Sequence, residues 1–323
     1  MCIGCMLSCS TDTRVFMALI VAEDLEKSYG NILAVDGLSL TLNEGSVTGL
    51  IGPNGAGKTT TIKMILGLLK PDKGSIRVFG QEPWDNSEMH ALVGVVHEKP
   101  FFPSNQETLD YLERVCRIFG MPDSRAAEAL RMVNLEDAGD RPIKALSAGM
   151  LQKFAIAHAL VHHPRLVIAD EMTSNLDPQA RSSLLDIILR LHEDEKVTFL
   201  LSSHILPELS RVCDSVAIIN QGRVFASGRL IELYEKYAAG MVRVSTDKPR
   251  ELSAEIAKLP YVNKVESDVR GVSVGIQQKD EGDLYRDAPK LAKRVNARIL
   301  GIEAGSSSIE ELYRLAVGER RGG

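Results

Sequence analysis

Runs of apolar residues bounded by glycine or polar residues recur along the first two thirds of the chain. Three of these runs are short and mainly apolar, as in strands buried on both faces: residues 46–51, 165–170 and 197–203. Apolar positions at three- and four-residue spacing predict helices over residues 57–70, 107–119, 124–133, 149–161 and 178–194. Buried strands that alternate with helices predict a mostly parallel sheet with helices on both faces.

The beginning and the end of the chain show different patterns. Residues 18–28 and 36–43 predict strands with polar turns between them, and we expect these to be antiparallel edge strands. A helix follows Gly228, and after it comes the order strand, helix, strand, strand, helix, strand, which is the ferredoxin-like pattern. These six elements and a last helix are predicted over residues 241–246, 250–259, 262–268, 271–277, 283–295, 297–303 and 307–317.

The change of pattern predicts several separate parts in the chain. Residues 1–16 are predicted to form a disordered leader, and both Met1 and Met17 remain possible starting residues. Residues 17–228 form the large α/β domain, within which residues 85–162 are predicted to be a helical subdomain. Residues 229–240 form a linker helix, and residues 241–323 form a small α+β ferredoxin-like domain.

Composition narrows the classes of function that this architecture serves. The chain is 44% apolar and 25% charged, as in ordinary globular proteins, and its net charge of -5 gives no support to nucleic-acid binding. No apolar run reaches the length of a membrane-spanning helix. Three of the five cysteines fall in the first nine residues, where loose spacing without a neighbouring histidine favours an unstructured leader over a metal site. Cys116 and Cys213 lie in apolar helical contexts, which suits a reducing compartment.

The strongest chemical motif follows the first buried strand. The sequence GPNGAGKTT, residues 52–60, matches G-x-x-x-x-G-K-[ST] and opens a predicted helix, which is the context that a phosphate-binding loop requires. The glycines let successive backbone N–H groups curve around a phosphate, and the lysine supplies positive charge to the β- and γ-phosphate oxygens. The threonine hydroxyl after the lysine can ligate Mg²⁺. The loop residues predicted to bind nucleotide are Gly52, Pro53, Asn54, Gly55, Ala56, Gly57, Lys58, Thr59 and Thr60.

Two further motifs follow the other two buried strands. LVIADE ends in Asp170, placed to hold Mg²⁺ directly or through water, and in Glu171, placed to polarise the attacking water. LLSSHILPE carries His204, for which we predict a contact with the γ-phosphate. Taken alone, each motif also fits a solvated turn or a packing residue. Because the carboxyl ends of parallel strands meet at one edge of the sheet, a shared site is favoured.

These motifs, together with LSAGM at residues 146–150 and SNLDP at residues 174–178, resemble those of nucleotide-binding subunits of ATP-binding cassette (ABC) transporters. The resemblance covers residues 18–228, and the motifs occur in the family's order. It implies a P-loop NTPase fold, ATP and Mg²⁺ as cofactors, and ATPase activity coupled to transport. Residues 241–323 resemble an accessory domain of exporter-type ATPases, so export is the implied direction.

The resemblance also assigns roles to residues outside the phosphate loop. Tyr29 matches the aromatic residue that stacks on adenine, and its alternative role is that of a strand-edge tyrosine. In this family two subunits associate head to tail, so Ser147 and Gly149 of one copy would bind the γ-phosphate held by the other. Asp177 matches the acidic residue of the loop that crosses the dimer interface. It also fits the N-cap of the helix that begins at Pro178.

Two motifs depart from the family's pattern. The LSAGM motif usually reads L-S-G-G-Q, and here Ala148 and Met150 replace the second glycine and the glutamine. Glu98, in VGVVHEKP, replaces the glutamine that senses Mg²⁺ and the membrane subunit. A carboxylate can still approach the metal or accept a hydrogen bond from water, but it lacks the amide donor and adds negative charge. We therefore count Glu98 among the candidate catalytic and metal-binding residues.

The resemblance implies an ATP-hydrolysing subunit at the cytoplasmic face of the cell membrane. Its implied partners are a transmembrane permease, docked among residues 98–120, and a second ATPase subunit that we expect to be an identical copy. A soluble cassette ATPase acting on nucleic acid or ribosomes is the main alternative. Such proteins usually carry two cassettes or long coiled coils, and this chain has one cassette and no heptad run. A non-hydrolysing ATP clamp is the second alternative, and Glu171 and His204 argue against it.

Overall fold

The computed structural model describes residues 18–238, 241–269, 271–277, 280–304 and 309–319. The predicted leader over residues 1–16 lies outside the described residues, as do its three cysteines. In chain order the strands are β1 (Ala18–Tyr29), β2 (Ile32–Asn43), β3 (Val47–Ile51), β4 (Lys73–Val78), β5 (Val93–Val96), β6 (Leu166–Asp170), β7 (Thr198–Ser203), β8 (Ser215–Asn220), β9 (Arg223–Arg229), β10 (Met241–Thr246), β11 (Val262–Asp268), β12 (Gly271–Ile276) and β13 (Ile299–Ala304).

The helices are, in chain order, α1 (Lys58–Ile65), α2 (Ser87–His90), α3 (Thr108–Ile118), α4 (Ser124–Met132), α5 (Ala148–Leu160), α6 (Pro178–Glu195), α7 (Leu206–Val212), α8 (Leu230–Ala238), α9 (Pro249–Ile256), α10 (Glu281–Arg294) and α11 (Ile309–Glu319). Within the described part of the chain, none of them has the length and apolar character that crossing a bilayer requires.

A six-stranded sheet forms the centre of the molecule. Its order is β5-β6-β7-β3-β8-β9, and every neighbouring pair is parallel except β8 and β9. The three buried runs of the sequence are β3, β6 and β7, so the prediction of a mostly parallel sheet is confirmed. Every residue of β3 and β7 is buried, because packed elements cover both faces of the sheet.

The predicted antiparallel strands form a second sheet of three strands in the order β2-β1-β4. The inward-facing side chains of this sheet, such as Ile20 and Leu38, pack in one cluster with Leu50 of β3 and Ile65 of α1. The second sheet therefore covers one face of the central sheet. Helices α5, α6 and α7 contribute to the cluster on the opposite face.

The helix that follows the phosphate loop is shorter than predicted. It ends at Ile65 rather than at residue 70, because the chain turns at Gly67. Gly67 has a φ of +68°, and a Cβ at this position would meet the Pro83 carbonyl oxygen at 2.1 Å. The position therefore needs glycine, and tertiary packing ends the helix before its sequence pattern does.

Aromatic rings pack together within the helical part of the chain and join α3 to α5. Phe102 packs edge-on against Tyr111 at 5.5 Å and against Phe154 at 5.0 Å, measured between ring centroids. The His158 imidazole lies 5.5 Å from the Phe102 ring. Burial, and secondly the neighbouring His162, lower the pKa of His158 to about 4, so this imidazole is neutral at neutral pH.

The C-terminal part of the chain has an antiparallel sheet of its own, with the order β11-β12-β10-β13. The predicted succession of strands and helices is confirmed in this part. One face of the sheet packs on α9 and α10, with Val244, Val274, Leu252 and Leu284 in a common core.

The last helix, α11, packs away from that core. Its residues Ile309 and Leu312 are fully buried and belong to the same cluster as Leu209 and Val212 of α7. Arg314 of α11 also forms an ion pair with Glu266 in the C-terminal sheet. Helix α11 therefore contacts both the cluster beside α7 and the C-terminal sheet.

We expect His158→Gln to reduce the loss of stability at mildly acidic pH. The unfolded imidazole takes up a proton near its ordinary pKa of 6.5, whereas the folded one does so only near about 4. The unfolded state therefore binds more protons between these values, so the wild type loses stability as the pH falls through this window. The difference should be about 1–2 kcal/mol between pH 7 and pH 5.

Urea unfolding at several pH values measures this effect. His97→Gln is the control variant, because it removes an exposed histidine from the same region and should leave the wild-type pH dependence unchanged. If wild type and His158→Gln lose the same free energy of unfolding between pH 7 and pH 5, the interpretation of His158 is wrong.

Candidate active site

The sequence motifs meet where three adjacent parallel strands end. In the sheet order, β6, β7 and β3 are neighbours. The phosphate loop follows β3, Asp170 ends β6 and is followed by Glu171, and His204 comes directly after β7. Because parallel strands all present their carboxyl ends at one edge, the motifs share one site, as the sequence predicts.

The phosphate loop, residues 52–57, needs glycine for two different reasons. Gly55 and Gly57 have φ values of +79° and +102°, which side chains other than glycine rarely adopt. At Gly52 the backbone itself is crowded, and a Cβ there would meet the Ile219 carbonyl oxygen at 2.2 Å. Gly57 is also the N-cap of α1, so the helix N-terminus opens at this loop. Free N–H groups at such a terminus attract phosphate oxygens.

Lys58 lies beneath the phosphate loop, and its ammonium group points towards Glu171. Its side chain is only 6% exposed. The Nζ atom donates hydrogen bonds to the carbonyl oxygens of Gly52 at 2.7 Å and Pro53 at 3.3 Å. It also lies 3.2 Å from Oε1 of Glu171. This places a positive charge between the phosphate loop and the carboxylate that follows β6.

Asp170 is held from two sides by hydroxyl groups. Thr59 Oγ1 donates to Oδ2 at 3.0 Å, and Ser202 Oγ donates to Oδ1 at 2.5 Å. The Ser202 hydroxyl also accepts a hydrogen bond from the Glu171 N–H at 3.0 Å. One serine of β7 therefore holds the Asp170 carboxylate and the backbone of the residue that follows it.

Glu171 has a left-handed backbone and an ionised side chain. Its φ is +51°, an uncommon conformation for a residue other than glycine. Burial of the carboxyl raises its pKa, but hydrogen bonds from Ser174 and His204 and the charge of Lys58 outweigh burial, so the pKa lies below the ordinary value. Ser174 Oγ donates to Oε2 at 2.8 Å, and His204 Nδ1 lies 2.7 Å from the same atom.

Two predicted residues lie further from these acids. Tyr29 is at the end of β1, beside a tight turn, and is 48% exposed. Its ring is accessible for stacking, but it also fits the strand-edge alternative. Glu98 follows β5, and its Oε1 accepts a hydrogen bond from Asn175 at 3.1 Å. The Glu98 backbone carbonyl accepts from Gln152 of α5 at 2.7 Å.

Ser147, Gly149 and Asp177 lie at the beginnings of helices. Ser147 is the N-cap of α5 and accepts a hydrogen bond from the Met150 N–H at 3.3 Å. Asp177 is the N-cap of α6 and accepts from two backbone N–H groups of its first turn. A Cβ at Gly149 would lie 2.9 Å from the Ala180 side chain, so glycine lets α5 and α6 approach closely.

The sequence motifs did not identify three residues of the site. Ser202 and Ser174 hold the acids, and Asn175 contacts Glu98. Serine and asparagine are common in loops, so their residue types carried no distinguishing signal. Ser202 lies within the quoted LLSSH motif, and its place at the end of a buried strand is a signal that could have identified it.

Comparison with known proteins gives the family. The model of the ABC transporter family matches residues 35–174. An uncharacterised ABC transporter ATP-binding protein of Nostoc sp. is 33% identical over 314 residues, covering 93% of this chain and 90% of that protein. A Nod factor export ATP-binding protein of Ralstonia nicotianae is 34% identical over 255 residues, covering 77% of this chain and 78% of that protein.

The fold is similar to solved structures of the same class. A protein of Clostridium perfringens that is part of an ABC transporter complex matches with a TM-score of 0.62 at 25% identity, covering 68% of this chain and 91% of that chain. Sequence similarity over nine tenths of the chain, the shared fold and the convergent motifs agree with each other. This chain belongs to the ABC transporter family, as an ATP-binding subunit with ATPase activity.

Proposed function

We propose that this ATPase works as a head-to-tail dimer of identical copies, with Mg²⁺ at each ATP, and drives export through a separate permease. The observation that carries the proposal is the convergence of Lys58, Asp170, Glu171 and His204 at one edge of the parallel sheet. An ionised carboxylate next to a histidine is the arrangement that activates a water molecule. This supports hydrolysis over a non-hydrolysing clamp.

The nucleotide would lie along the phosphate loop. The backbone N–H groups of residues 52–60 would bind the β-phosphate, with Lys58 turning from the loop carbonyls and Glu171 towards the β- and γ-phosphate oxygens. The half-exposed ring of Tyr29 would stack on the adenine.

The donor set beside the loop fits Mg²⁺. Thr59 and Asp170 present a hydroxyl and a carboxylate oxygen 3.0 Å apart, and Mg²⁺ prefers such hard oxygen donors. When bound, the metal supplies positive charge to the phosphate oxygens. Ser202 holds the second oxygen of Asp170 and so keeps the first directed at Thr59. We place Glu98 at the outer side of this site, linked to the Asp177 loop through Asn175.

Hydrolysis would use Glu171 to accept a proton from the attacking water. Its lowered pKa keeps the carboxylate ionised at neutral pH, and Ser174 and His204 fix its orientation. His204 would reach the γ-phosphate with its second ring nitrogen. Lys58 would stabilise the charge that develops on the phosphate oxygens.

The second half of each ATP site would come from the other copy. Ser147 and Gly149 stand at the N-terminus of α5, where free N–H groups favour a negative charge. Asp177 stands at the N-terminus of α6, on the loop that in this family crosses between copies. The capping roles of Ser147 and Asp177 within the chain are compatible with this function, because capping uses only some of the oxygen lone pairs.

The permease would dock in a groove beside the aromatic cluster. The groove encloses about 300 Å³, and its lining includes Phe101, Phe102, Tyr111, Phe119, His158 and His162. Phe101 is 95% exposed, and the Phe119 ring stacks on His162 at 4.4 Å. An exposed aromatic residue at the rim of an apolar groove is suited to receive a partner helix.

The same proposal includes the direction of transport and the role of the C-terminal residues 241–323. The Nod factor export relative supports export, and docking on a permease would hold the chain at the cytoplasmic face of the membrane. We propose the division into residues 17–228, the linker helix and residues 241–323, with α11 fastening the last unit to the first.

The head-to-tail dimer is tested in a Glu171→Gln background, which should bind ATP and Mg²⁺ without turnover and stay dimeric. Adding Ser147→Arg should abolish the ATP-dependent dimer, because the new side chain fills the space for the other copy's γ-phosphate. Size-exclusion chromatography with light scattering measures the mass. Ser87→Arg, at an exposed serine of α2, is the control and should leave the dimer intact. A dimer that persists with Ser147→Arg contradicts the proposal.

Docking at the groove is tested by Phe101→Ala. We expect this variant to lower co-purification with a polytopic membrane protein by about tenfold, since truncation of an aromatic anchor removes much of an interface's free energy. The measurement compares the amount of chain recovered with detergent-solubilised membrane partner. Leu68→Ala, at an equally apolar site that is 69% exposed outside the groove, should co-purify like wild type. Equal recovery of both variants would argue against the groove.

A further inference from the structure

Glu208 of α7 carries a buried carboxylate that has no part in the chemistry described above. Its side chain is 8% exposed. Thr173 Oγ1 donates a hydrogen bond to its Oε2 at 2.6 Å. The Arg181 guanidinium forms an ion pair with its Oε1 at 2.8 Å. Both oxygens of Glu208 are therefore engaged by other segments of the chain.

The partners of Glu208 come from the segments that carry the chemistry. Thr173 lies two residues after Glu171 and is 3% exposed. Arg181 is in the first turns of α6, just after Asp177, and also donates to the Leu176 carbonyl at 3.1 Å. Glu208 itself lies one helical turn after His204. One carboxylate thus joins the Glu171 loop, the Asp177 loop and the His204 segment.

Thr173 and Glu208 are buried at this junction, and Arg181 is partly buried. A buried carboxylate is tolerated only where donors and charges satisfy it, and removing one partner leaves the other unpaired at a high cost. Hydrogen bonds in such surroundings are directional and strong. The Glu171 loop therefore cannot shift relative to the His204 segment without breaking the contact between Thr173 and Glu208.

We propose that Glu208 is a positioning residue for hydrolysis. It touches no reacting atom and acts through Thr173 and Arg181, holding Glu171 and His204 at their 2.7 Å separation as the Asp177 loop engages the other copy. The inference rests on the proposed roles of Glu171 and His204. A small misplacement of a general base lowers turnover steeply while leaving substrate binding nearly unchanged.

Helices α6 and α7 also share an exposed ion pair, which serves as a control. Arg211 of α7 pairs with Asp186 of α6 and donates to Ser182 at 2.7 Å. Its side chain is 44% exposed, so the pair contributes little to the relative position of the helices. Arg211→Ala breaks a contact between α6 and α7 without touching Glu208.

The experiment measures kcat and the KM for ATP in four variants: Thr173→Val, Thr173→Ser, Glu208→Gln and Arg211→Ala. Thr173→Val keeps the side-chain shape but removes the hydroxyl, and we expect it to lower kcat about tenfold or more with the KM within about threefold. Glu208→Gln should also lower kcat, because it removes the negative charge that pairs with the Arg181 guanidinium. Thr173→Ser restores the hydroxyl and should restore kcat, and Arg211→Ala should equal wild type.

The outcomes separate this inference from the proposed function. Thermal unfolding of each variant checks folding, and if Glu208→Gln fails to fold, Thr173→Val carries the test. Wild-type kcat in Thr173→Val, an equal loss in Thr173→Ser, or a loss confined to KM overturns the positioning role. Glu171→Gln is measured in parallel. If it keeps wild-type turnover, the proposed function fails; if it is inactive while Thr173→Val is normal, only the role of Glu208 is overturned.

Discussion

The arrangement of the site depends on one partly buried carboxylate, that of Glu171, and the donors around it. Glu171 lies against Lys58 at the start of α1, Ser174 in its own loop, and His204 directly after β7. Burial raises the pKa of this carboxyl, but these partners lower it by more, so the pKa lies below its ordinary value. The partners meet only because β6, β7 and β3 are adjacent and parallel. The electrostatics of the site are therefore a consequence of the strand order.

The parallel core was predictable from the sequence, and the parts of the fold that were missed have physical reasons. Strands β3, β6 and β7 are buried on both faces, which leaves an unbroken apolar run in the sequence. Strand β4 buries only Ile76 and Val78, so its pattern is weak. The hairpin of β8 and β9 turns at Gln221 and Gly222, both with positive φ, and a glycine-containing turn between two apolar runs is a signal that could have predicted it.

The site was predictable where the chemistry needs a fixed spacing of residue types. The phosphate loop and the pair Asp170 and Glu171 are of this kind. Ser202 and Glu208 are not, because their importance comes from strands and helices that pack together only in the folded chain. The opposite holds for Ser147 and Asp177. Each caps a helix within this chain, and its intermolecular role comes only from the family resemblance.

The last helix in the described part of the chain, α11, packs beside α7. Helix α11 shares a buried cluster with α7, the helix that carries Glu208, and pairs with the C-terminal sheet through Arg314. Apolar contacts thus join α11 to the cluster beside α7, and an ion pair joins it to the C-terminal sheet.

The central claim is that the ionised carboxylate of Glu171, held by Ser174 and His204, activates the attacking water. The most direct measurement is the rate of ATP cleavage by purified chain with Mg²⁺, for wild type and for Glu171→Gln, with ATP affinity measured alongside. The account predicts a rate at least about a hundredfold lower in the variant, with ATP affinity retained. A Glu171→Gln protein that cleaves ATP at the wild-type rate would contradict it.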